Sequence, residues 1–459
     1  MPAKKKSLII PVESQRRELD SKLLLACTAA KRGYSVWIGP KEEIESRIAS
    51  FPRGIYLAYR MKSGNSKIFK IIRLLGHEIV AWDEEALVHL PPEMYFSRRL
   101  SPEAIGLVSH LFAWGVDNVD LWRQYPHLSP AKPIHVTGNP RGDLLRPELR
   151  AFYRQDAEVL LNKHGHFILL NTNFNHVNHF YPDHNLFLPI KNPCEKPQFG
   201  RSAMGMTFEY AKGFREHKQA LFLDFQKLIP ALDQAFSEYK IIIRPHPSED
   251  QKVYQRIADS CKQVVVTNEG NVVPWLMAAG LLIHNGCTTA VEAYMIGVPA
   301  ISYRPTVNDF YDDGFYRLPN RLSHQYFNFE ELKKNLAQIL TGQIRRPESP
   351  ARKMLLDHYL SAQAGPLACE RITDILDMAM ERHSKLPHPG IYKRLKAKRK
   401  IKKRYRRKSD KKTDLLRHRY PHIPVEEMRK RISQFETVLD IRGGLKIKPV
   451  FSEIFQIHR

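Results

Sequence analysis

The stretch Leu281-Leu-Ile-His-Asn-Gly-Cys-Thr-Thr-Ala-Val-Glu-Ala293, running on to Gly297-Val-Pro-Ala-Ile-Ser-Tyr303, decides how the chain is read. An apolar run ends at His284, and Asn285-Gly286 is a turn pair. A helical pattern then covers about Thr289 to Ile296, and a second apolar run follows Gly297. Working outward, Lys240–Arg244, Val264–Val266 and Gly280–His284 read as strands, as does Phe167–Leu170, with a helical region at about 205–237. The first half repeats the rhythm. Leu8–Val12, Ser35–Gly39, Ile55–Ala58, Glu78–Trp82, Leu111–Trp114 and Ile134–Thr137 read as strands, separated by helical patterns that include Leu19–Ala30 and Lys67–Leu75. Alternation at this spacing predicts an α/β protein of two Rossmann-like halves facing a cleft, with ligands at the carboxyl ends of the strands.

The expected boundaries are 1–150 and 151–345 for the two halves, 346–392 for C-terminal helices, 393–419 for a basic strap and 420–459 for a tail. The tail carries one amphipathic stretch, around Val425–Leu439. A chain of 459 residues, 43% apolar, has enough material for two or three domains and is not wholesale disordered. The net charge of +24 is unevenly spread. The strap holds 16 Lys/Arg against Asp410 and Asp414, which leaves a mildly basic body of +10.

The five cysteines lie far apart with no C-x-x-C pair, which argues against a zinc cluster or a disulfide framework and for a reducing, cytoplasmic compartment. The apolar run after Lys6 is too short for a signal-peptide core. No stretch approaches the ~18 apolar residues of a membrane span.

Three motifs carry the chemistry. In Ile241-Ile-Ile-Arg-Pro-His-Pro-Ser248, an apolar strand stops at Arg244 and two prolines present His246 rigidly at the strand's end. A cation and a hydrogen-bonding imidazole there suit a phosphate; the plain alternative is a solvated His in a Pro-rich loop. In the opening stretch, Asn285, Gly286, Thr288 and Thr289 surround a helix start, a ready anion site, and Glu292 lies one turn on, in reach of a ribose hydroxyl. The plain alternative is a capped strand–turn–helix. In Val80-Ala-Trp-Asp-Glu-Glu85, the adjacent acids Asp83, Glu84 and Glu85 repel, which raises at least one pKa and suits a general base or a carboxylate nucleophile. The alternative is a helix N-terminus, where acids are favoured. Val136–Asp143 and the Asn-rich Leu170–His176 read as scaffolding near the cleft.

Taken together, these residues resemble a GT-B glycosyltransferase of the bacterial surface carbohydrate biosynthesis type, related to transferases of CMP-activated sugars such as Kdo or sialic acid. The resemblance covers roughly residues 7–345. Asp83-Glu84-Glu85 is similar to the acidic motif of the acceptor domain, Arg244–Pro247 to the His-Pro motif, and Gly286–Glu292 to the donor-phosphate helix. Val136–Asp143 is similar to the Thr-Gly-Asn-Pro-Arg stretch before the interdomain link, whereas Ala86 stands where the family often has Gly. The resemblance implies that His246 contacts the donor's nucleotide phosphate and that an acid of 83–85 acts on the acceptor or the sugar. It implies no metal and no cofactor. A sugar-nucleotide 2-epimerase and a CDP-glycerol-type glycerophosphotransferase are the alternative activities.

The expected partners are a nucleotide-sugar donor, CMP-linked by preference, and a glycan or lipid-linked acceptor. An anionic membrane surface is the third, met by the strap through Lys396, Lys400, Lys403 and Arg406 on the cytoplasmic face. Nucleic acid is the least favoured, because no recognition fold is visible and the strap has few stacking aromatics. A solvated linker is the plain reading of the strap.

Overall fold

The computed structural model describes residues 6–190, 195–406 and 419–459, with the backbone alone for Phe315. The chain forms two compact units. The first comprises Met1–Leu87, Arg99–Phe152 and Asp357–Arg459, and the second Val88–Arg98 and Tyr153–Leu356.

In the first unit, β1 (Lys6–Val12), β2 (Tyr34–Pro40), β3 (Ile55–Ala58), β4 (Glu78–Ala81), β5 (His110–Ala113) and β6 (Ile134–Val136) pair in parallel. The C-terminal hairpin β13 (Lys446–Phe451) and β14 (Ile454–His458) adds antiparallel to β2, giving the order β13-β14-β2-β1-β3-β4-β5-β6. Helices on both faces bury β1 through β5, so these strands read as continuous apolar runs.

The second unit holds β7 (Phe167–Asn171), β8 (Lys240–Arg244), β9 (Val264–Val266), β10 (Ala279–His284), β11 (Ala300–Tyr303) and β12 (His324–Tyr326), in the order β12-β11-β10-β7-β8-β9. Numbered from β7, this is the doubly wound order 3-2-1-4-5-6. Successive side chains alternate between two cores: Phe167, Leu169, Ile242 and Leu282 pack on one face, and Ile168, Leu170, Ile241, Ile243 and Ile283 on the other. The order reverses between β7 and β10, which is where such a sheet opens a crevice for a ligand.

Each expected strand lies within a residue or two of its expected bounds, but β12 has no counterpart among the expected strands, and two further features depart from the pattern. Residues Lys353 to Arg382 carry one helical pattern in the sequence but form two helices, Pro350–Tyr359 and Ala368–Lys385, because Gly365-Pro366 interrupts it. The tail supplies β13 and β14 as well as its amphipathic helix, Val425–Val438.

Side chains of Val136–Asp143 and just beyond staple the returning chain to the first unit. Asp143 accepts from the amides of Ala368 (2.8 Å) and Cys369 (2.9 Å), the first turn of the helix Ala368–Lys385. Arg146 donates to the carbonyls of Ala362 (3.0 Å) and Gly365 (2.8 Å), and Phe152 stacks on Phe435 at 4.2 Å.

Candidate functional site

The register of the second sheet builds the candidate site. Asn171 lies level with Arg244 across β7–β8 and with His284 across β7–β10, so three polar side chains end three adjacent strands. The loops beyond them are clasped together. Asn285 Oδ1 accepts from Asn173 N at 2.8 Å, while Asn285 Nδ2 donates to Asn173 O at 3.2 Å. Asn173 Nδ2 reaches Gly286 O at 3.1 Å, and Asn171 Nδ2 reaches Thr289 Oγ1 at 3.0 Å. The clasp joins the two strands at which the order reverses, and it ties the start of the helix Thr289–Ile296 to that point of the sheet.

Gly286 has φ +89°, a conformation that costs a side-chain-bearing residue about 1–2 kcal/mol. Its amide donates to His284 Nδ1 at 2.9 Å, so the ring proton sits on Nε2 and faces Ser323 Oγ at 2.8 Å. Burial, reinforced by Arg304, holds this imidazole neutral with its pKa down at about 3. His284 thus orients the turn. Thr288 and Thr289 are partly exposed at the helix start, and Glu292 is buried on its first turn.

On the neighbouring strand end, His246 Nδ1 accepts from the amide of Ser248 (3.3 Å) and lies 2.7 Å from its hydroxyl. This leaves the ring proton on Nε2 in the neutral form. Glu249 organises the loop from beneath. Its carboxylate accepts from His246 N and Thr172 Oγ1, each at 3.0 Å, and from the Tyr254 hydroxyl. Arg244 donates to the carbonyls of Glu269 (2.8 Å) and Gly270 (3.3 Å) and lies over the Trp275 ring at 4.8 Å. Its guanidinium therefore shapes the rim of the loop.

The three acids lie in the first unit, in a turn after β4; no helix begins until Pro92. Their environments differ sharply. Asp83 is 0% exposed, and both its oxygens are held by Arg99, with Nε to Oδ2 at 2.9 Å. Glu84 is buried against Trp82 Nε1 (2.7 Å) and Lys22 Nζ (3.3 Å), and its Oε2 has no hydrogen-bond partner among the described residues. Burial raises its pKa, opposed by Lys22. Glu85 keeps 44% of its side chain exposed and pairs with Arg17 at 2.9 Å. Burial pushes its carboxyl up, but Arg17, with Arg99 and Arg141, overrides this and lowers it to about 2. Nearby, burial together with Arg99 and Arg60 brings the Lys62 ammonium down to about 8.

Part of the strap is a helix, Ile391–Tyr405, with nine Lys/Arg and no acid; residues 407–418 lie outside the described residues. Ala397 and Ile401 pack inward, and the Tyr405 hydroxyl donates to Glu45 at 2.6 Å. Lys396, Lys400, Lys403 and Arg406 are exposed, as are Ile391 (79%), Tyr392 (75%) and Leu395. Among the described residues, no group of three or more His, Cys, Asp or Glu is placed to hold a metal ion, and no helix is long and apolar enough to cross a membrane.

No family model matches this sequence, and no curated protein does either. Solved structures do match. A variant of the wall teichoic acid polymerase TagF aligns with a TM-score of 0.50 at 11% identity, over 83% of this chain and 91% of that one. The fold is of the GT-B type. The UDP-GlcNAc 2-epimerase of Methanocaldococcus jannaschii, solved with UDP-GlcNAc and UDP, aligns at 0.46 and 14% identity, covering 82% of this chain and 100% of that one. S. aureus MnaA with UDP aligns at 0.46 and 12%, covering 84% and 100%. At such identities the likeness is one of fold.

Several residues of the site escape a reading of motifs. Glu249 stands three residues beyond His246, and Asn171 and Asn173 belong to the Asn-rich loop taken as scaffolding. The signal available for them was position alone, at the ends of strands that prove to be neighbours. Arg99 and Lys22, which sort the three acids, lie 16 and 62 residues from Asp83 and Glu84 and carry no local signal.

Proposed function

We propose that this protein is an enzyme that binds a nucleotide-activated donor in its second unit and transfers the activated group to an acceptor bound by its first. The preferred reaction is glycosyl transfer from a CMP-linked sugar, Kdo-like or sialic-acid-like, onto a glycan or lipid-linked acceptor in surface-polysaccharide synthesis. One observation carries this reading: the Asn171/Asn173–Asn285/Thr289 clasp stands at the reversal point of a 3-2-1-4-5-6 sheet, beside a helix start and His246. Backbone amides and a helix dipole at such a point favour a phosphate.

In this reading Gly286, Thr288 and Thr289 cradle the phosphate, His246 donates to it from Nε2, and Glu292 meets the ribose. Asn285 and Arg244 hold the loops that do so. Helix dipole and imidazole balance charge on the departing phosphate. Of the three acids, Glu85 is the one with an open carboxylate, and Arg17 keeps it anionic at neutral pH. It therefore suits electrostatic or nucleophilic work better than proton abstraction. The likeness in fold to a wall teichoic acid polymerase supports a second reading, transfer of a glycerophosphate-type group from a CDP-linked donor.

The helix Ile391–Tyr405 is proposed to rest on an anionic membrane. Each exposed Lys or Arg contributes about 1 kcal/mol there, and Ile391, Tyr392 and Leu395 enter the headgroup layer.

Thermal shift with CMP, CDP, UDP and GDP tests the donor site, followed by donor turnover with and without acceptor glycan. Stabilisation by a cytidine nucleotide and acceptor-dependent turnover support glycosyl transfer; donor consumption without any acceptor indicates epimerisation instead. His246→Ala must abolish turnover in a folded protein, since its half-buried ring contributes little to the core. Wild-type turnover in that variant refutes the site.

A further inference from the structure

The donor reading does not account for Lys218. This residue of the helix Phe208–Ala235 is 0% exposed, and its Nζ has no hydrogen-bond partner among the described residues. The ammonium lies instead over two rings, 4.6 Å from the centroid of Tyr316 and 5.1 Å from that of Phe174. Burial brings the amine down to about 8, while Asp312, Glu249 and Cys287 act the other way. Both acids are already engaged. Asp312 is held by His217 and Arg304, each at 2.9 Å, and Glu249 by the contacts described above. A buried cation without an acceptor is costly, and an aromatic face offsets only about 2 kcal/mol of that cost. Among the described residues the ammonium therefore has two rings and two acids bonded elsewhere around it, but no acceptor of its own.

Its surroundings point to the crevice. Phe174 follows the Asn171–Asn173 loop directly. Tyr316 closes on the phosphate turn so tightly that a Cβ on Gly286 would stand 2.5 Å from its Cγ. Cys287, the residue after Gly286, is within electrostatic reach of the ammonium. A helix start and a buried ammonium thus flank one turn, and an anion bound there would meet both.

We propose that Lys218 is the buried countercharge for a phosphate or diphosphate bound at residues 285–289, acting through the Tyr316–Phe174 wall. It is a positioning residue rather than a catalytic one, and it would favour a ligand with charged oxygens over the bare nucleoside. The inference rests on the donor site proposed above.

Isothermal titration of the full chain with cytidine, CDP and inorganic pyrophosphate tests it. Lys218→Met is expected to weaken CDP and pyrophosphate by about tenfold and to leave cytidine unchanged. Lys218→Arg, which keeps the charge, should restore CDP to within about threefold. Should the Met variant not fold, Lys218→Gln provides the same comparison. Equal losses for cytidine and CDP, or undiminished CDP and pyrophosphate binding in a folded neutral variant, overturn the proposal while leaving the donor site standing. A wild-type chain that binds none of the three refutes the donor site and this inference together.

Discussion

Replacing Gly286 with alanine probes the geometry of the candidate site without assuming its chemistry. Two costs add. The left-handed backbone, φ +89°, costs an alanine about 1–2 kcal/mol. The new Cβ would also stand 2.5 Å from Cγ, 2.6 Å from Cδ1 and 2.9 Å from Cβ of Tyr316, a ring only 1% exposed and unable to swing into solvent. Overpacking of this kind costs about 1–3 kcal/mol. The expected loss is therefore about 2–5 kcal/mol. For a unit of this size, at about 2–4 °C per kcal/mol, that is a fall in Tm of roughly 4–20 °C. Gly297 supplies the control. Its φ is +88°, but nothing lies within 4 Å of a Cβ built there, so Gly297→Ala should cost the backbone share alone. Urea unfolding and calorimetry of both variants measure the difference. Equal destabilisation of the two would refute the contact between the turn and Tyr316. In Gly286→Ala the strained turn should also loosen the Asn173–Asn285 clasp, so nucleotide affinity falls there and not in Gly297→Ala.

Three further outcomes follow from the acids and the strap. Asp83→Asn leaves Arg99 facing an uncharged amide in a closed site and should cost about 3–5 kcal/mol. Glu85→Gln breaks a half-exposed pair worth under about 1 kcal/mol, yet, as loss of an electrostatic or nucleophilic group, should lower kcat by about 10²-fold or more. Denaturant melts and turnover separate them, and a harmless Asp83→Asn or a fully active Glu85→Gln would count against the assigned roles. Replacing Lys396, Lys400 and Lys403 together with Gln should release the protein from phosphatidylserine vesicles at low salt without moving its Tm, because all three are exposed. Unchanged co-sedimentation would remove the membrane reading.

Much of the fold was legible locally. Apolar runs such as Lys240–Arg244 and Leu281–His284 declare buried parallel strands, because helices cover both faces and no polar alternation is needed. The turn at Asn285-Gly286 was legible for the same kind of reason, since few residues adopt a positive φ cheaply. The hairpin β13–β14 was not. Lys446, Lys448 and Pro449 interrupt its apolar pattern, as suits an edge strand whose outer side faces solvent. The acids at 83–85 were visible as a cluster, but their division into a clamped, an enclosed and an open carboxylate was not. Arg99, Lys22 and Arg17 make that division, and only chain folding brings them near.

The sequence by itself determined two α/β sheets, the ends of their strands, the turn at Gly286 and a basic strap set apart from a mildly basic body. These follow from periodicity, turn chemistry and composition, which act over a few residues. The tertiary structure decided which strand ends are neighbours, and so turned an Asn-rich loop into the clasp of the candidate site, gave Glu249 its place beneath His246 and enclosed Lys218 with no acceptor among the described residues. Those facts depend on strand order, register and packing across gaps of 44 to 118 residues, where no local preference operates.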